Sequence, residues 1–356
     1  MFNFFQKPFG LDISDHSIEI VSLSGTLAKP ELSALERVIL RSGIVQNGDI
    51  IQKEKLEEYL RNSIDSPRFG EIKTKNFIFS LPESKTFIHY FNISPELNEK
   101  EKIKAIETEA VKTFPFPLND LYCDFTINQN GEVLLAVVQK KTVDEYLELF
   151  RSCQINPIVV ETNSESLARA LIKDNRETVL ILDMGAKNTG FSVFDGQILR
   201  FSNSIPTGGE KLTELISERL DLKKPEAEKI KIETGLDPKK KGGRIFLVLQ
   251  EEIQLIIGKI REMEQYLKEK TGKGIERVIL TGGSALIVNM QEYLSDNLEK
   301  EVLIGDPWKK INITEFYFKK SLNFDPIFFS SAIGTALRGL TRDCKRAGIN
   351  FLKVVK

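Results

Sequence analysis

Three glycine-bearing turns lie far apart in this chain, and each follows an apolar run of strand character. Gly10-Leu11-Asp12-Ile13 leads into Ser14, Asp15, His16 and Ser17. Leu180-Ile181-Leu182-Asp183 leads into Gly185, Ala186, Lys187, Asn188, Thr189 and Gly190. Val278-Ile279-Leu280 leads into Thr281, Gly282, Gly283 and Ser284. Each turn alone fits an ordinary β-turn. Their order, with an Asp ending each of the first two strands, predicts one nucleotide site split across two similar halves. A turn with Gly, Ser or Thr at its tip directs backbone N–H groups at an anion. An Asp at such a strand end suits a hydrated magnesium ion, reached through water. A Gly-Gly pair lets the backbone approach adenine or ribose closely.

The pattern around the turns predicts an α/β chain built twice. Residues 9–24 alternate as a hairpin, and residues 177–205 repeat that opening as strand, Asp-bearing turn, strand and third strand. Between them the texture changes. A strand at 85–93 precedes a helix at 98–114, with Ile103, Ile106, Ala110 and Phe114 at helical spacing. Phe114-Pro115-Phe116-Pro117 stops that helix. A hairpin turns at Asn130-Gly131, and a second helix follows at 142–153. This block reads as a small inserted α+β domain. Further on, Gly208-Gly209 opens a helix, residues 245–272 form a long one, and residues 329–340 form one rich in small side chains.

Charge and rare residues narrow the function classes. Fifty basic residues stand against 51 acidic ones, so no global basic field favours nucleic acid. Cys123, Cys153 and Cys344 lack metal-ligand spacing, and their odd number argues against a disulfide framework, in keeping with a reducing cytoplasm. Only His16 and His89 are present, which argues against a histidine-based metal site or a Ser-His-Asp site. No apolar run has the length of a membrane span. Phe2, Phe4, Phe5 and Phe9 make up a lead-in too short for a signal peptide, expected to dock on the first strand.

These residues resemble the actin-like ATPase superfamily over most of the chain. Asp12 to Ser17 resembles its first phosphate loop, and Asp183, Gly185 and Thr189 its second. Gly208, Gly209 and Thr213 resemble a nucleotide-facing helix start, and Thr281 to Ser284 the adenosine motif. Ala332, Gly334 and Ala336 resemble a helix connecting the two halves. Within that superfamily the chain is similar to the type IV pilus assembly protein PilM family, itself FtsA-like. The opening Pro8-Phe9-Gly10-Leu11-Asp12-Ile13, the inserted domain with its Pro-Phe segment, the run from Arg200 to Gly209, and Ile304-Gly305-Asp306-Pro307-Trp308 carry that likeness.

The resemblance implies an actin-like (ribonuclease H-like) two-lobed α/β fold with an inserted SHS2-like subdomain. Residues 1–80, with 156–176 and 327–345 returning, form the first lobe. Residues 81–155 form the insertion, 177–220 and 276–326 the second lobe, 221–275 a helical subdomain, and 346–356 a tail. The implied cofactors are ATP and Mg. The nucleotide would be held by Asp12, Ser14, Asp15, His16, Ser17, Asp183, Gly185, Ala186, Lys187, Asn188, Thr189, Gly208, Gly209, Lys211, Thr213, Gly282, Gly283 and Ser284. Magnesium would be reached through water by Asp12 and Asp183. Glu161 is the candidate for positioning a hydrolytic water, with turnover slow or absent.

The implied partner is the N-terminal cytoplasmic peptide of a PilN-like inner-membrane protein, with this chain cytoplasmic and peripheral to that membrane. The peptide groove is implied between the insertion and the first lobe, lined by residues 79–90 and 133–139 with Ile103 and Ile106 nearby. Two positions depart from the family pattern. Ser14 replaces a usual Gly, and Glu19 stands where a Lys is usual, with Lys187 as a compensating cation. Ile349-Asn350-Phe351-Leu352 resembles a PilN-type stretch, which predicts that the tail occupies the groove in its own chain or in a neighbour, as an autoinhibitor or oligomer link. The competing functions are a superfamily small-molecule kinase and an FtsA-like division protein.

Overall fold

The alternation at the start of the chain makes a hairpin in the computed structural model, which describes residues 6–173, 176–313 and 325–353. The expected docking of Phe2, Phe4 and Phe5 lies outside these residues. The chain divides into two units. Unit 1 comprises Met1–Leu171, Leu199–Ser202 and Pro307–Lys356, and unit 2 comprises Ile172–Ile198 and Asn203–Asp306.

In unit 1, β1 (Phe9–Ile13) pairs antiparallel with β2 (Ser17–Thr26), which pairs with β3 (Lys29–Ile39). A small ribbon of β4 (Val45–Gln46) and β5 (Asp49–Ile50) precedes helix α1 (Lys53–Asp65), the short strand β6 (Phe69–Gly70) and β7 (Asn76–Leu81). The insertion runs through β8 (Thr86–Asn92), α2 (Glu99–Thr113), β9 (Leu121–Ile127), β10 (Glu132–Gln139) and α3 (Lys140–Ser152). Strand β11 (Asn156–Thr162) and helix α4 (Asn163–Leu171) then return to the main sheet. That sheet has the order β11-β7-β1-β2-β3-β6, so β11 is an edge strand.

Local chemistry sets the insertion's limits. Asn98 Oδ1 accepts from the N–H groups of Lys100 and Glu101, and the Glu101 carboxylate accepts from Asn98 N. This capping box starts α2, and Pro115 forbids its continuation. The insertion's sheet, ordered β8-β10-β9, alternates along β10. Val133, Leu135 and Val137 pack with Ile106, Ala110 and Phe114. Ala136 and Val138 join the main core with Tyr146, Leu149 and Phe150 of α3. Four of the residues expected to line a peptide groove are therefore interior: Val133, Leu135 and Val137 belong to the insertion's own core, and Phe79 lies under Tyr146 and Phe150, with ring centroids 4.9 and 5.1 Å away.

In unit 2, β12 (Thr178–Met184) pairs antiparallel with β13 (Thr189–Asp195), repeating the β1/β2 hairpin. Next along the chain come β14 (Ile198–Ile205, of which Leu199–Ser202 belong to unit 1), α5 (Gly209–Leu220), α6 (Lys224–Thr234), α7 (Arg244–Thr271), β15 (Arg277–Thr281), α8 (Met290–Leu298) and β16 (Glu301–Ile304). Helix α7 buries Leu249, Ile253, Ile256, Ile260, Met263 and Leu267, one face of a 3.6-residue period. Between β15 and α8, Gly283–Leu286 form a single 3₁₀ turn, and α8 starts at Met290. Asn289, left-handed at φ 59°, breaks the path between them.

Unit 2 ends at Asp306, earlier than the boundary expected at 326, and the chain from Pro307 onward belongs to unit 1. Helix α9 (Ser330–Gly339) packs on β1 and α4 at backbone contact distance. A Cβ on Gly334 would sit 1.8 Å from Ser166 O, and one on Gly10 would sit 2.1 Å from Ala332 O. The small residues of α9 thus permit an approach that any larger side chain would block.

Candidate functional site

The second and third turns of the sequence meet inside unit 2. Ser284 Oγ donates to Gly185 O at 3.1 Å, and Gly209 N donates to the same carbonyl at 3.0 Å. Glu210 N donates to Ala186 O at 2.8 Å, which seats the start of α5 on the loop after β12. Gly185 N donates to Asn188 O, closing that loop, and Thr189 Oγ1 donates to Thr207 O at 2.6 Å beneath it. Three glycines make this contact possible. A Cβ on Gly208 would lie 2.5 Å from Ala186 O, one on Gly209 would lie 2.7 Å from Ser284 Oγ, and one on Gly282 would lie 2.7 Å from Asp183 Oδ1. Gly282 also has φ +80°, a conformation that side chains rarely adopt.

Two residues that the sequence reading missed complete the cluster. Lys231 of α6 is buried, and its ammonium donates to Gly209 O, Thr213 Oγ1 and Glu228 Oε2 at 2.7–2.8 Å. Thr213 Oγ1 also donates to Gly209 O at 2.9 Å and contacts Glu228. The only sequence signal was the Glu228-x-x-Lys231 spacing, which puts the two side chains one turn apart on a helix. Lys211 is exposed on α5, while Lys187 and Asp183 are half-buried. The result is a helix N-terminus framed by two glycine turns, with Ser, Thr, Lys and carboxylate groups at hand. Its positive dipole end stabilises an anion by roughly 0.3–1 kcal/mol.

The first turn, in unit 1, is built differently. Ser14 Oγ accepts from His16 N at 3.2 Å and Ser17 N at 3.0 Å, so the hydroxyl engages backbone donors that a phosphate loop aims outward. Ser14 N donates to Ser17 O at 2.9 Å. The Asp15 carboxylate accepts from Asn47 N and Gly48 N at 2.7 and 2.9 Å, tying the turn to the β4–β5 ribbon. His16 is exposed and Ser17 is buried. Asp12, half-buried, accepts from Ser80 Oγ at 3.4 Å. Glu19 is buried against Arg37, with Nε to Oε1 at 2.8 Å. Burial pushes its carboxyl pKa up, and Arg37 offsets part of that rise.

Glu161, the expected water-positioning residue, has another task. It is fully buried, with Arg169 on both carboxylate oxygens at 2.9–3.0 Å and Arg338 Nη1 at 2.5 Å. Burial alone would raise its pKa, but the two guanidinium groups hold it below the usual carboxylate range. Both carboxylate oxygens are thus engaged by guanidinium donors. Among the described residues, no group of three His, Cys, Asp or Glu side chains is placed to hold a metal ion. No helix among them is long and apolar enough to cross a membrane.

The tail is the other well-defined site. Ile349 and Phe351 join the main core of unit 1, and Asn350 is also buried. The tail's last residues, from 354 on, lie outside the described residues.

Repeated hairpin-led sheets and the glycine-turn cluster on α5 define an actin-like fold. Similar solved structures agree. A PilM-PilN type IV pilus biogenesis complex matches with a TM-score of 0.80 at 21% identity, covering 94% of this chain and 99% of that one. An MreB protein of Spiroplasma citri bound to ADP matches with a TM-score of 0.54 at 13% identity, covering 93% and 95%. The cell division protein FtsA of Helicobacter pylori is 27% identical over 217 residues, 51% of this chain. That match spans 43% of the FtsA chain's own length. The family model for type IV pilus assembly protein PilM matches residues 10–340, and the chain belongs to that family.

Proposed function

We propose that this chain is an ATP-binding, actin-like scaffold of a type IV pilus or related secretion machine. It captures the N-terminal cytoplasmic peptide of a PilN-like protein and is held at the inner membrane through that partner. The likeness to the PilM-PilN complex over 94% of the chain supports the partner class. The single observation that carries nucleotide binding is the cluster in unit 2, where Ser284 and Gly209 share the Gly185 carbonyl. In this reading the loop from Gly185 to Thr189 and the start of α5 receive phosphate, and Gly282–Ser284 with Lys231 and Thr213 receive the nucleoside. Of the two carboxylates expected to reach magnesium through water, Asp183 is the one we carry forward, because it stands at that cluster. The nucleotide acts as a conformational clamp, and the clamped state of Glu161 supports slow or absent turnover.

The pilus reading is preferred to the division-protein alternative because the PilM model spans residues 10–340, whereas the FtsA match covers about half of the chain. The test is a titration with a fluorescent ATP analogue, with and without Mg²⁺, on the wild type and on Asp183→Ala. We expect Mg²⁺-dependent binding, weakened at least about tenfold in the variant. No binding by the wild type would reduce the protein to a nucleotide-free scaffold. Pull-down by a PilN-like cytoplasmic peptide tests the partner.

A further inference from the structure

The loop between α6 and α7 concentrates positive charge in a chain that is otherwise balanced. Residues 237–244 read Asp-Pro-Lys-Lys-Lys-Gly-Gly-Arg, four cations and one acid, in a protein whose net charge is −1. Lys239, Lys240, Lys241 and Arg244 are all exposed. The backbone is left-handed through Lys241, Gly242 and Gly243, with φ of 49°, 63° and 74°. Asp237 fixes the entry to the turn, its Oδ1 accepting from Lys239 N at 2.9 Å, and Lys240 Nζ donates to Glu233 O at 2.8 Å. A Cβ on Gly242 would meet nothing within 4 Å, so the tip stands clear of its own chain.

The acids around the loop are already engaged. Glu233 pairs with Lys229 at 3.9 Å, and Glu251 pairs with Arg219 at 2.8 Å. Among the described residues, none of the four loop cations makes an ion pair. Their charge is therefore uncompensated within the molecule. Two aliphatic side chains bracket it. Ile232, in the last turn of α6, is 58% exposed, and Leu247, in the first turn of α7, is 55% exposed.

This pairing of chemistries selects among anionic partners. Aliphatic side chains gain nothing beside the phosphates of a nucleic acid, and residues 237–244 hold no aromatic ring on which a base could stack. Lysines on flexible stems suit a diffuse array of charges better than a fixed carboxylate geometry on a protein. An anionic bilayer offers both a charged plane for the cations and an apolar boundary beneath it for the aliphatic groups.

We propose that the α6–α7 loop is a membrane-contact surface. Lys239, Lys240, Lys241 and Arg244 take the headgroups of anionic phospholipids, and Ile232 and Leu247 enter the boundary between headgroups and acyl chains. This is a direct contact with lipid, beyond the partner-held attachment read above and independent of it. Each cation strengthens attachment about fivefold. Four of them give a weak, reversible contact, which becomes firm when a second anchor holds the chain close to the bilayer.

The test is co-sedimentation of the full chain with vesicles at millimolar lipid and about 0.1 M salt. One set of vesicles is phosphatidylcholine alone, and the other holds about equal parts of phosphatidylglycerol and phosphatidylcholine. We expect the wild type to sediment with the anionic vesicles and to stay in solution with the neutral ones, and about 0.5 M salt to release it. Lys239→Gln combined with Lys241→Gln is expected to bind about 25-fold more weakly, and Leu247→Ser at least about threefold more weakly. A control with Lys100→Gln and Lys104→Gln, exposed lysines on α2, is expected to bind within about twofold of the wild type.

The proposal is overturned by a wild type that ignores anionic vesicles or binds neutral ones equally well. Unchanged binding by either loop variant, or an equal loss in the α2 control, overturns it too. A single-stranded oligonucleotide that binds the loop more tightly than the vesicles do, with the same sensitivity to Lys239 and Lys241, would assign the surface to nucleic acid instead. Because the vesicles carry no protein, these outcomes do not depend on whether the chain captures a PilN-like peptide.

Discussion

Arg338 and Glu161, 177 residues apart in sequence, meet at 2.5 Å with neither side chain reached by solvent. Arg338 also donates from Nε to Cys344 O and from Nη1 to Ile349 O. One guanidinium therefore holds the end of α9, the strand end of β11 and the tail together. Arg169 shares the load on Glu161 and reaches Gly334 O at 2.6 Å.

Removing Arg338 leaves Glu161 with an incomplete set of partners in a dry interior. Arg338→Ala is expected to cost about 3–5 kcal/mol in urea unfolding. It should also speed hydrogen exchange at Ile349 and Phe351. Glu161→Gln is expected to lose stability while nucleotide affinity stays within about twofold. A Glu161→Gln chain of unchanged stability that lost ATP turnover would restore the catalytic assignment.

Gly282 tolerates no side chain. Its φ of +80° and the 2.7 Å approach of a Cβ to Asp183 Oδ1 mean that Gly282→Ala strains the turn and displaces the carboxylate together. The expected cost is about 1–3 kcal/mol of stability, with nucleotide affinity falling at least about tenfold. Thermal unfolding and calorimetric titration read the two effects separately.

Ser14 contributes the opposite balance. Its hydroxyl engages His16 N and Ser17 N. Ser14→Gly is expected to release those donors, improve ATP affinity a few-fold, and lower stability by about 0.5–1 kcal/mol through the greater freedom of the unfolded chain. A loss of affinity would show that the serine itself contacts the nucleotide.

Glu165 makes stability depend on pH near neutrality. Burial first, and the negative charge of Glu161 second, push its pKa up to about 7, with Arg338, Arg169 and Ile349 N opposing. The folded state therefore binds this proton more tightly than the unfolded one, whose ordinary value is 4.5. The contribution is fully present below pH 4.5 and is lost as pH rises through about 7. Melting curves are expected to show the wild type losing a few degrees over that window relative to Glu165→Gln.

Much of the architecture was legible from local pattern. The β12/β13 hairpin, the Asn130-Gly131 turn and the buried stripe of α7 follow from periodicity and turn chemistry within short windows. So did the meeting of the Gly185 loop with Gly208 and Gly209, because each motif carries its glycine for a backbone reason. Long-range choices were not legible. Nothing near Glu161 announces Arg338, and a strand-end carboxylate looks the same whether it faces a cleft or a buried cation. Nor does residue type distinguish a groove lining from a core, as Phe79 and Val137 show. The serine at position 14 signalled a departure, but its capture of two backbone donors depends on a rotamer. The tail's apolar–Asn–apolar pattern was visible, whereas its seat depended on Asp124 and Val160, more than 180 positions upstream.

The seat of the tail has a colloidal consequence as well. Strand β11 is the outer strand of its sheet, and an outer strand with open N–H and C=O groups recruits strands from other molecules. By occupying both groups of Val160, residues 350 and 351 blunt that edge. Residues 350 and 351 therefore act as a cap that keeps this sheet from extending into a neighbouring molecule.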